Sequence, residues 1–309
     1  MEGELLPPPS LSIITAVHNQ LPVNRIFWHY LSRYTESQFE LIVIDNASTD
    51  GSAEFFASVG AKVIRNLGNY SYAYCQNQGL AVAKGRLLAF LNNDIIVSPS
   101  WDKHLIESMA CNELDVVTCC GIEQLESDAA TRRTKRRWRV IKGLCSLAGI
   151  NSRTLATMHR WMYGNDWEGF CSNRYQAHRH QAVEGFVGNT VMMTRSAVDK
   201  LGAWDERIQG ADFDLYLRSK RRAVTVGDIR PVHIALDTFN HHFIRLTRQA
   251  NPPRFADASR LVALEEKWSP KDLRWLEERP GAGKGSVSGD RRSSAMGKAI
   301  KGNRRQSTI

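Results

Sequence analysis

Leu87-Leu88-Ala89-Phe90-Leu91 runs straight into Asn92-Asn93-Asp94. Five apolar residues in a row predict a strand buried on both faces, as in the middle of a parallel sheet. Ligands of open α/β sheets bind just beyond the carboxyl ends of the strands, so such a strand would deliver Asp94 to the binding rim. A carboxylate there suits Mg²⁺ or Mn²⁺, hard cations that take oxygen ligands and in turn grip phosphate oxygens. A plain polar turn would also use Asn and Asp, so the neighbouring segments must decide. Asp45 stands in the same way after Val43-Ile44. Asp212 and Asp214 follow Gly210-Ala211, where acids suit a helix N-terminus. His241 and His242 are adjacent in a segment expected to be extended, so only one of them would face a shared site.

Several chemistries are disfavoured. No GxGxxG follows the first expected strand and no GxxxxGK[ST] occurs, which argues against a nicotinamide dehydrogenase or a P-loop enzyme. There is no obvious Ser-His-Asp or Cys-His nucleophile. The six cysteines form no CxxC pair, so neither a zinc site nor a disulfide framework is indicated, and a reducing compartment is the default. The net charge of +9 is concentrated: residues 131–142 carry +7, residues 280–309 carry +6, and the remainder is −4. Lacking a recognisable nucleic-acid-binding motif, an acidic body with two basic segments is not expected to bind nucleic acid. Met1–Ser10 has no basic or apolar signal region, and no stretch approaches the ~18–20 apolar residues of a membrane span. The expected location is cytoplasmic, with a peripheral seat at the inner face of the membrane as an option.

The elements that would position these residues read as alternating strands and helices. Strands are expected at 11–17, 39–44, 61–64, 87–91, 116–120, 190–194 and 223–226. Helices are expected near 23–34, 52–58, 71–83, from Ser98-Pro99 to Met109, at 196–201 before Gly202, at the start marked by Asp212, and over 256–268. This order predicts an α/β fold, a doubly wound, mostly parallel sheet flanked by helices.

In the first half, four segments carry a resemblance: Ser12-Ile13-Ile14-Thr15; Val43-Ile44-Asp45-Asn46-Ala47-Ser48-Thr49-Asp50-Gly51; Asn66-Leu67-Gly68-Asn69 with Asn77-Gln78-Gly79; and Phe90-Leu91-Asn92-Asn93-Asp94. In this order and at this spacing the chain resembles the family 2 glycosyltransferases, of GT-A fold. Gly202, Trp204-Asp205-Glu206 and Gly210-Ala211-Asp212-Phe213-Asp214-Leu215 with Arg218 extend the likeness. The resemblance implies a nucleotide-sugar donor, held by Thr15, Val17, Asp45, Asn66, Asn77 and Asn93, with Asp45 reading the base. It implies a divalent cation, Mn²⁺ or Mg²⁺, at Asp94 with His241 or His242, and a catalytic base at Asp212 with Asp214 beside it. Two departures stand out. Asn92 replaces the first acid of the family's DxD, and Ala211 replaces a Glu before the base. Asp50 is expected to cap the following helix.

The likeness covers about 11–120 and 183–268. The expected organisation is a flexible 1–10, a nucleotide-sugar half at 11–120, a variable basic insertion at 121–182, an acceptor-binding and catalytic half at 183–278, and a disordered basic tail at 279–309. The implied activity is an inverting hexosyl transfer from a UDP- or dTDP-sugar to a glycan or lipid-linked hydroxyl, as in polysaccharide biosynthesis. The alternative is a catalytically weakened nucleotide-sugar-binding protein of the same fold. In the insertion, the basic run with Trp138, Val140, Ile141, Leu144 and Leu147 is expected to meet an anionic membrane, to be a solvated face or to form an interface.

Overall fold

The computed structural model describes residues 10–146, 149, 151–244 and 252–279. Its centre is an eight-stranded sheet of β1 (Leu11–Val17), β2 (Phe39–Asn46), β3 (Lys62–Asn66), β4 (Leu87–Leu91), β6 (Val116–Cys120), β7 (Ala182–Glu184), β8 (Thr190–Thr194) and β9 (His233–Phe239). The order is β3-β2-β1-β4-β8-β6-β9-β7. Strands β3, β2, β1 and β4 run parallel; β8 is antiparallel to both β4 and β6, and β7 is antiparallel to β9. A separate two-stranded pair joins β5 (Ile95–Ile96) to β10 (His241–His242). This is the expected mixed, mostly parallel α/β sheet, with β4 in its interior.

Strand alternation sends neighbouring side chains to opposite faces. Ile14, Ile42, Ile44, Leu88 and Phe90 pack beneath α3 (Tyr72–Val82), α8 (Arg195–Leu201) and α9 (Ala211–Thr225). Ile13, Val43, Ala89 and Leu91 face α1 (Leu21–Tyr34), α2 (Ser52–Ser58) and α4 (Trp101–Asn112). Both faces being covered explains the continuous apolar run of β4. Gly79 lets α3 sit on β1, since a Cβ there would lie 2.3 Å from Ile14 Cγ2.

The stretch 121–182 is more ordered than its composition suggested. It forms α5 (Asp128–Ser146), α6 (Ser152–Tyr163) and α7 (Trp167–His178) around a third apolar cluster that includes Trp138, Ile141, Leu155, Met158, Trp167 and Phe239. Other expectations change. The run Ala223–Val226 is no strand: α9 extends through Thr225, and the strand lies later, at His233–Phe239. Ser98 does not cap α4; the helix begins at Trp101, with Ser100 as N-cap. In place of one helix over 256–268 there are a 3-10 turn at Ala258–Arg260 and α10 (Leu264–Lys267), followed by α11 (Pro270–Glu277). Leu147 and the tail from residue 280 lie outside the described residues.

Candidate active site

The carboxyl ends of β1 and β2 lie side by side, with Val17 in register with Asp45. Thr15 and Asp45 are buried, yet among the described residues Thr15 Oγ1 and Asp45 Oδ1 have no hydrogen-bond partner. The other carboxylate oxygen of Asp45 accepts Ser48 N–H at 3.3 Å. Buried polar atoms are nearly always satisfied, so two orphans on adjacent strand ends mark a surface shaped for a polar ligand. Asp50 performs the capping work, accepting from Leu21 N–H at 2.7 Å and from the Ser52 N–H and hydroxyl. Its burial opposes ionisation, but these hydrogen bonds outweigh it and hold the carboxyl below its usual range.

The three amides assigned to the donor are differently placed. Asn66 Nδ2 donates to Asn46 and Gln78, and its Oδ1 accepts from Gln78. Asn77 donates to Trp204 O at 2.9 Å and to Glu206 Oε1 at 2.8 Å, and accepts from Trp204 N–H. Asn93 donates to Asn24 Oδ1 at 2.7 Å. These side chains tie elements of the rim to one another. A chain carrying Asn-rich loops at strand ends gives no local signal of which amides are spent in this way.

Asp94 follows β4 and meets β10 across the small pair. His242 Nε2 lies 3.1 Å from Asp94 Oδ1, and His242 Nδ1 is held by Glu123. Burial disfavours the charged imidazole, but Asp94 and Glu123 together raise its pKa well above the ordinary value. Burial likewise opposes ionisation of Glu123, and the adjacent His242 overrides it and keeps the carboxyl low. His242 thus stands between two carboxylates, which favour its charged form. His241 points the other way, as alternation requires: its Nδ1 is 2.9 Å from Tyr163 OH, and its ring packs on Trp138, His159 and Phe243. The expected histidine is thus His242, and His241 is not placed against Asp94. Glu123 was missed. It lies just after β6 in a stretch read as insertion, and the only available signal was a carboxylate beyond a buried strand end.

The third carboxylate begins α9. Asp212 Oδ1 accepts Phe213 N–H at 2.8 Å, and among the described residues Asp212 forms no ion pair. Its Oδ2 lies over Gly188, where a Cβ would come within 2.3 Å. Burial raises the Asp212 pKa above the carboxylate norm. The buried Tyr72 hydroxyl, which has no hydrogen-bond partner among the described residues, feels this charge. Asp214 is engaged otherwise: it is fully buried and receives Arg218 Nε at 2.8 Å, Lys267 Nζ at 2.7 Å and Trp268 Nε1 at 2.7 Å. Asp214 thus anchors α9 to the segment carrying α10. Ala211 is 2 % exposed within the apolar cluster, so the supporting Glu expected there has been replaced by core packing.

The loop before β8 brings the centres together. Asn189 O accepts Asn92 N–H at 3.0 Å, beside Asp94, while Gly188 receives Asp212. Asn189 Nδ2 also reaches Glu123 at 3.4 Å. A further cavity of about 340 Å³ lies among α1, α6 and α7, lined by residues such as Tyr30, Arg33, His159 and Tyr163, and none of the expected site residues lines it.

A model of the family described as glycosyl transferase family 2 matches residues 12–202. The uncharacterised protein y4gI of Sinorhizobium fredii is 28% identical over 229 residues, covering 71% of this chain and 23% of that protein. The uncharacterised glycosyltransferase EpsJ of Bacillus subtilis is 30% identical over 127 residues, 40% of this chain and 37% of its own length. The chain therefore spans between about a quarter and two-fifths of these curated relatives. The crystal structure of S. aureus TarS 1-349 in complex with UDP has a TM-score of 0.50 at 12% identity, covering 90% of this chain and 67% of that one, a likeness of fold. The match over residues 12–202 is more than half of the 309 residues, and the observed sheet agrees with it: the chain belongs to glycosyl transferase family 2 and carries its GT-A fold.

Proposed function

We propose that this protein transfers a sugar from a nucleotide-diphosphate donor, a UDP- or dTDP-sugar, to an acceptor hydroxyl by a single inverting displacement. The observation that carries the reading is the contrast on α9: Asp214 is consumed by Arg218, Lys267 and Trp268, whereas Asp212 is free of ion pairs among the described residues and lies against Gly188. A carboxylate with a raised pKa can accept a proton near neutral pH better than an ordinary one. In this reading Asp212 takes the proton of the acceptor hydroxyl as that oxygen attacks the anomeric carbon. The bond to the diphosphate breaks on the opposite face, so no protein nucleophile is needed. Asp45 Oδ1 would accept the imide N–H of the base, and Thr15 Oγ1 would supply a second polar contact.

The donor set fits a divalent cation. Asp94 offers a hard oxygen and His242 an imidazole nitrogen 3.1 Å away, a combination compatible with Mn²⁺. Such ions often take one or two protein ligands and complete their shell with phosphate oxygens and water. Among the described residues no cluster of three or more His, Cys, Asp and Glu is arranged as a metal cage, so the donor diphosphate would supply the remaining oxygens. When bound, the cation would neutralise charge on the departing diphosphate. Glu123 orients the His242 ring from its other nitrogen.

Calorimetry with UDP- and dTDP-sugars, with and without Mn²⁺, tests this reading. Asp45→Ala should weaken donor binding while the fold persists, and Asp94→Ala should remove its Mn²⁺ dependence. A weakened, non-catalytic binder would bind donor but show no transfer over a panel of acceptors. Donor affinity unchanged in both variants would overturn the donor assignment.

A further inference from the structure

The seven basic residues of α5 are arranged around the helix in a definite way. Trp138, Ile141 and Cys145 are buried in the third apolar cluster. About the opposite side of the helix run Arg133, Arg136, Arg137, Val140 and Leu144, at the i, i+3, i+4, i+7 and i+11 spacing of a single face. Val140 and Leu144 are 56% and 60% exposed, and Trp161 of the adjoining α6 is 49% exposed. Arg137 Nη2 donates to Trp161 O at 2.6 Å, which joins the two helices at this patch. Arg132 and Arg139 flank the face, and Asp128 is the only acid on the helix. Large exposed apolar side chains are costly in water when clustered. Ringed by arginine, they match an interfacial surface that inserts Trp and aliphatic groups among anionic headgroups.

The inner face of the same helix packs against β10 and the residues just after it. Trp138 lies 5.2 Å from the His241 ring and 6.1 Å from that of Phe243, and Lys142 Nζ donates to Ile244 O at 2.7 Å. Strand β10, which presents His242 to Asp94, is therefore packed beneath α5. A helix with its side chains is about 10–12 Å across, so the basic face stands roughly one helix thickness from β10, the strand that carries His242. We infer that the α5–α6 face formed by Arg133, Arg136, Arg137, Arg139, Val140, Leu144 and Trp161 docks on an anionic lipid surface and holds the cleft next to it. The corollary, that the acceptor hydroxyl belongs to a lipid-linked molecule, rests on the glycosyl-transfer reading; the docking itself does not.

Vesicle co-sedimentation of the full-length chain tests it, using phosphatidylcholine vesicles with and without about one-third phosphatidylglycerol. The wild type should partition onto the mixed vesicles, not the zwitterionic ones, and salt should weaken the interaction. Each basic residue near such a surface is worth roughly fivefold in partitioning. Replacing Arg133, Arg136 and Arg139 by Gln should therefore cost on the order of 100-fold. Replacing Val140, Leu144 and Trp161 by Ser should abolish the part of the binding that survives high salt. Circular dichroism and the melting temperature show whether these surface variants remain folded. Asp212→Asn should bind vesicles like the wild type, which separates a failure of docking from a failure of catalysis. Three results would each overturn the inference: no sedimentation of the wild type at low salt; loss only on neutralising Lys284, Arg291 and Arg292 of the tail; or preferential capture by RNA over anionic vesicles.

Discussion

Two carboxylate centres, linked by the loop before β8, are built in opposite ways. At the β4–β10 rim, Asp94 and Glu123 are both engaged by His242, and positive charge is supplied from within the fold. At the start of α9, Asp212 lies on a glycine with one backbone donor and no cation among the described residues. In the first arrangement a proton on His242 and a divalent cation would compete for the same carboxylate. The second suits a place where a proton is to be taken up, because burial without a counter-charge raises the affinity of a carboxylate for protons. The same chemical group thus sits in two different electrostatic surroundings. The predictions below aim to erase or exaggerate that difference.

The largest effect is expected from Asp212→Asn. It keeps shape and capping ability but cannot take a proton, so transfer should fall by ~10²–10⁴-fold with donor affinity unchanged. Stability should move the other way. A raised carboxylate pKa means that the folded state binds the proton more tightly than the unfolded chain. This destabilises the fold once pH rises above the unfolded value, and Asn removes that cost. The variant should therefore melt no lower than the wild type at pH 7. Asp214→Asn should do the reverse. It leaves Arg218 and Lys267 without their buried partner, at a cost of about 2 kcal/mol once their partial exposure is allowed for. A chemical denaturation curve and a transfer assay on the two variants decide the matter. A catalytic loss at Asp214 without loss of stability would reverse the assignment.

Next in size is Gly188→Ala. The added methyl would fall 2.3 Å from Asp212 Oδ2, so the carboxylate must move. A displacement of about 1 Å at a reacting group can cost ~10²-fold. The melting temperature should change little if the side chain alone gives way. Transfer at wild-type rate would show that the close approach of Asp212 to this loop is without catalytic meaning.

The sequence made the framework of this contrast legible but not its partners. Buried strands such as Leu87–Leu91 announce themselves through unbroken apolar runs, and Asp45, Asp94 and Asp212 are placed by the strand or helix they terminate. Side-chain alternation also anticipated that only one of His241 and His242 would face Asp94. Glu123 and Tyr163, which meet His242 and His241, come from elements far away in the chain. Such contacts depend on how α5, α6 and α7 pack over β9 and β10, and no local pattern encodes that packing. For the same reason Trp138 and Ile141, grouped in the sequence with Val140 and Leu144, proved to be core. The mixed charged and apolar run of α5 carries no boundary signal from which its two faces can be separated.

A moderate effect is expected at the His242 pair. Its raised pKa means that its contribution to stability is fully present below the unfolded histidine value, and is lost as pH rises through the higher folded value. Urea midpoints should therefore decline on the alkaline side of neutrality, and less steeply in Glu123→Gln, where one of the two carboxylates that hold the proton is gone. Because an imidazole must be deprotonated to ligate a metal, Mn²⁺-dependent donor binding should strengthen with pH and release protons. Calorimetry in buffers of different ionisation enthalpy measures that release directly. If Mn²⁺ binding releases no proton between pH 6 and 8, His242 is a structural cation and not a ligand.

The smallest effect concerns Asn92, and it asks whether the cation centre can be made stronger without touching the base. Asn92 is partly exposed, and its backbone N–H is already committed to Asn189 O at 3.0 Å. A change of side chain at that position therefore need not disturb the loop that carries Gly188. Asn92→Asp adds a second hard anion near Asp94. His242 offsets only one of the two charges of Asp94 and Glu123, so a third carboxylate adds to a centre that is already net negative without metal and favours a divalent cation more than the wild type does. Mn²⁺-dependent donor affinity should rise a few-fold, with kcat changed by less than that. The apo variant should lose a little stability from the added repulsion and regain it when Mn²⁺ and donor are supplied together, since a ligand that binds only the folded state raises its melting temperature. A thermal-shift series over Mn²⁺ concentration distinguishes the outcomes. A curve identical to the wild type would place residue 92 outside the cation's reach and confine the centre to Asp94 and His242.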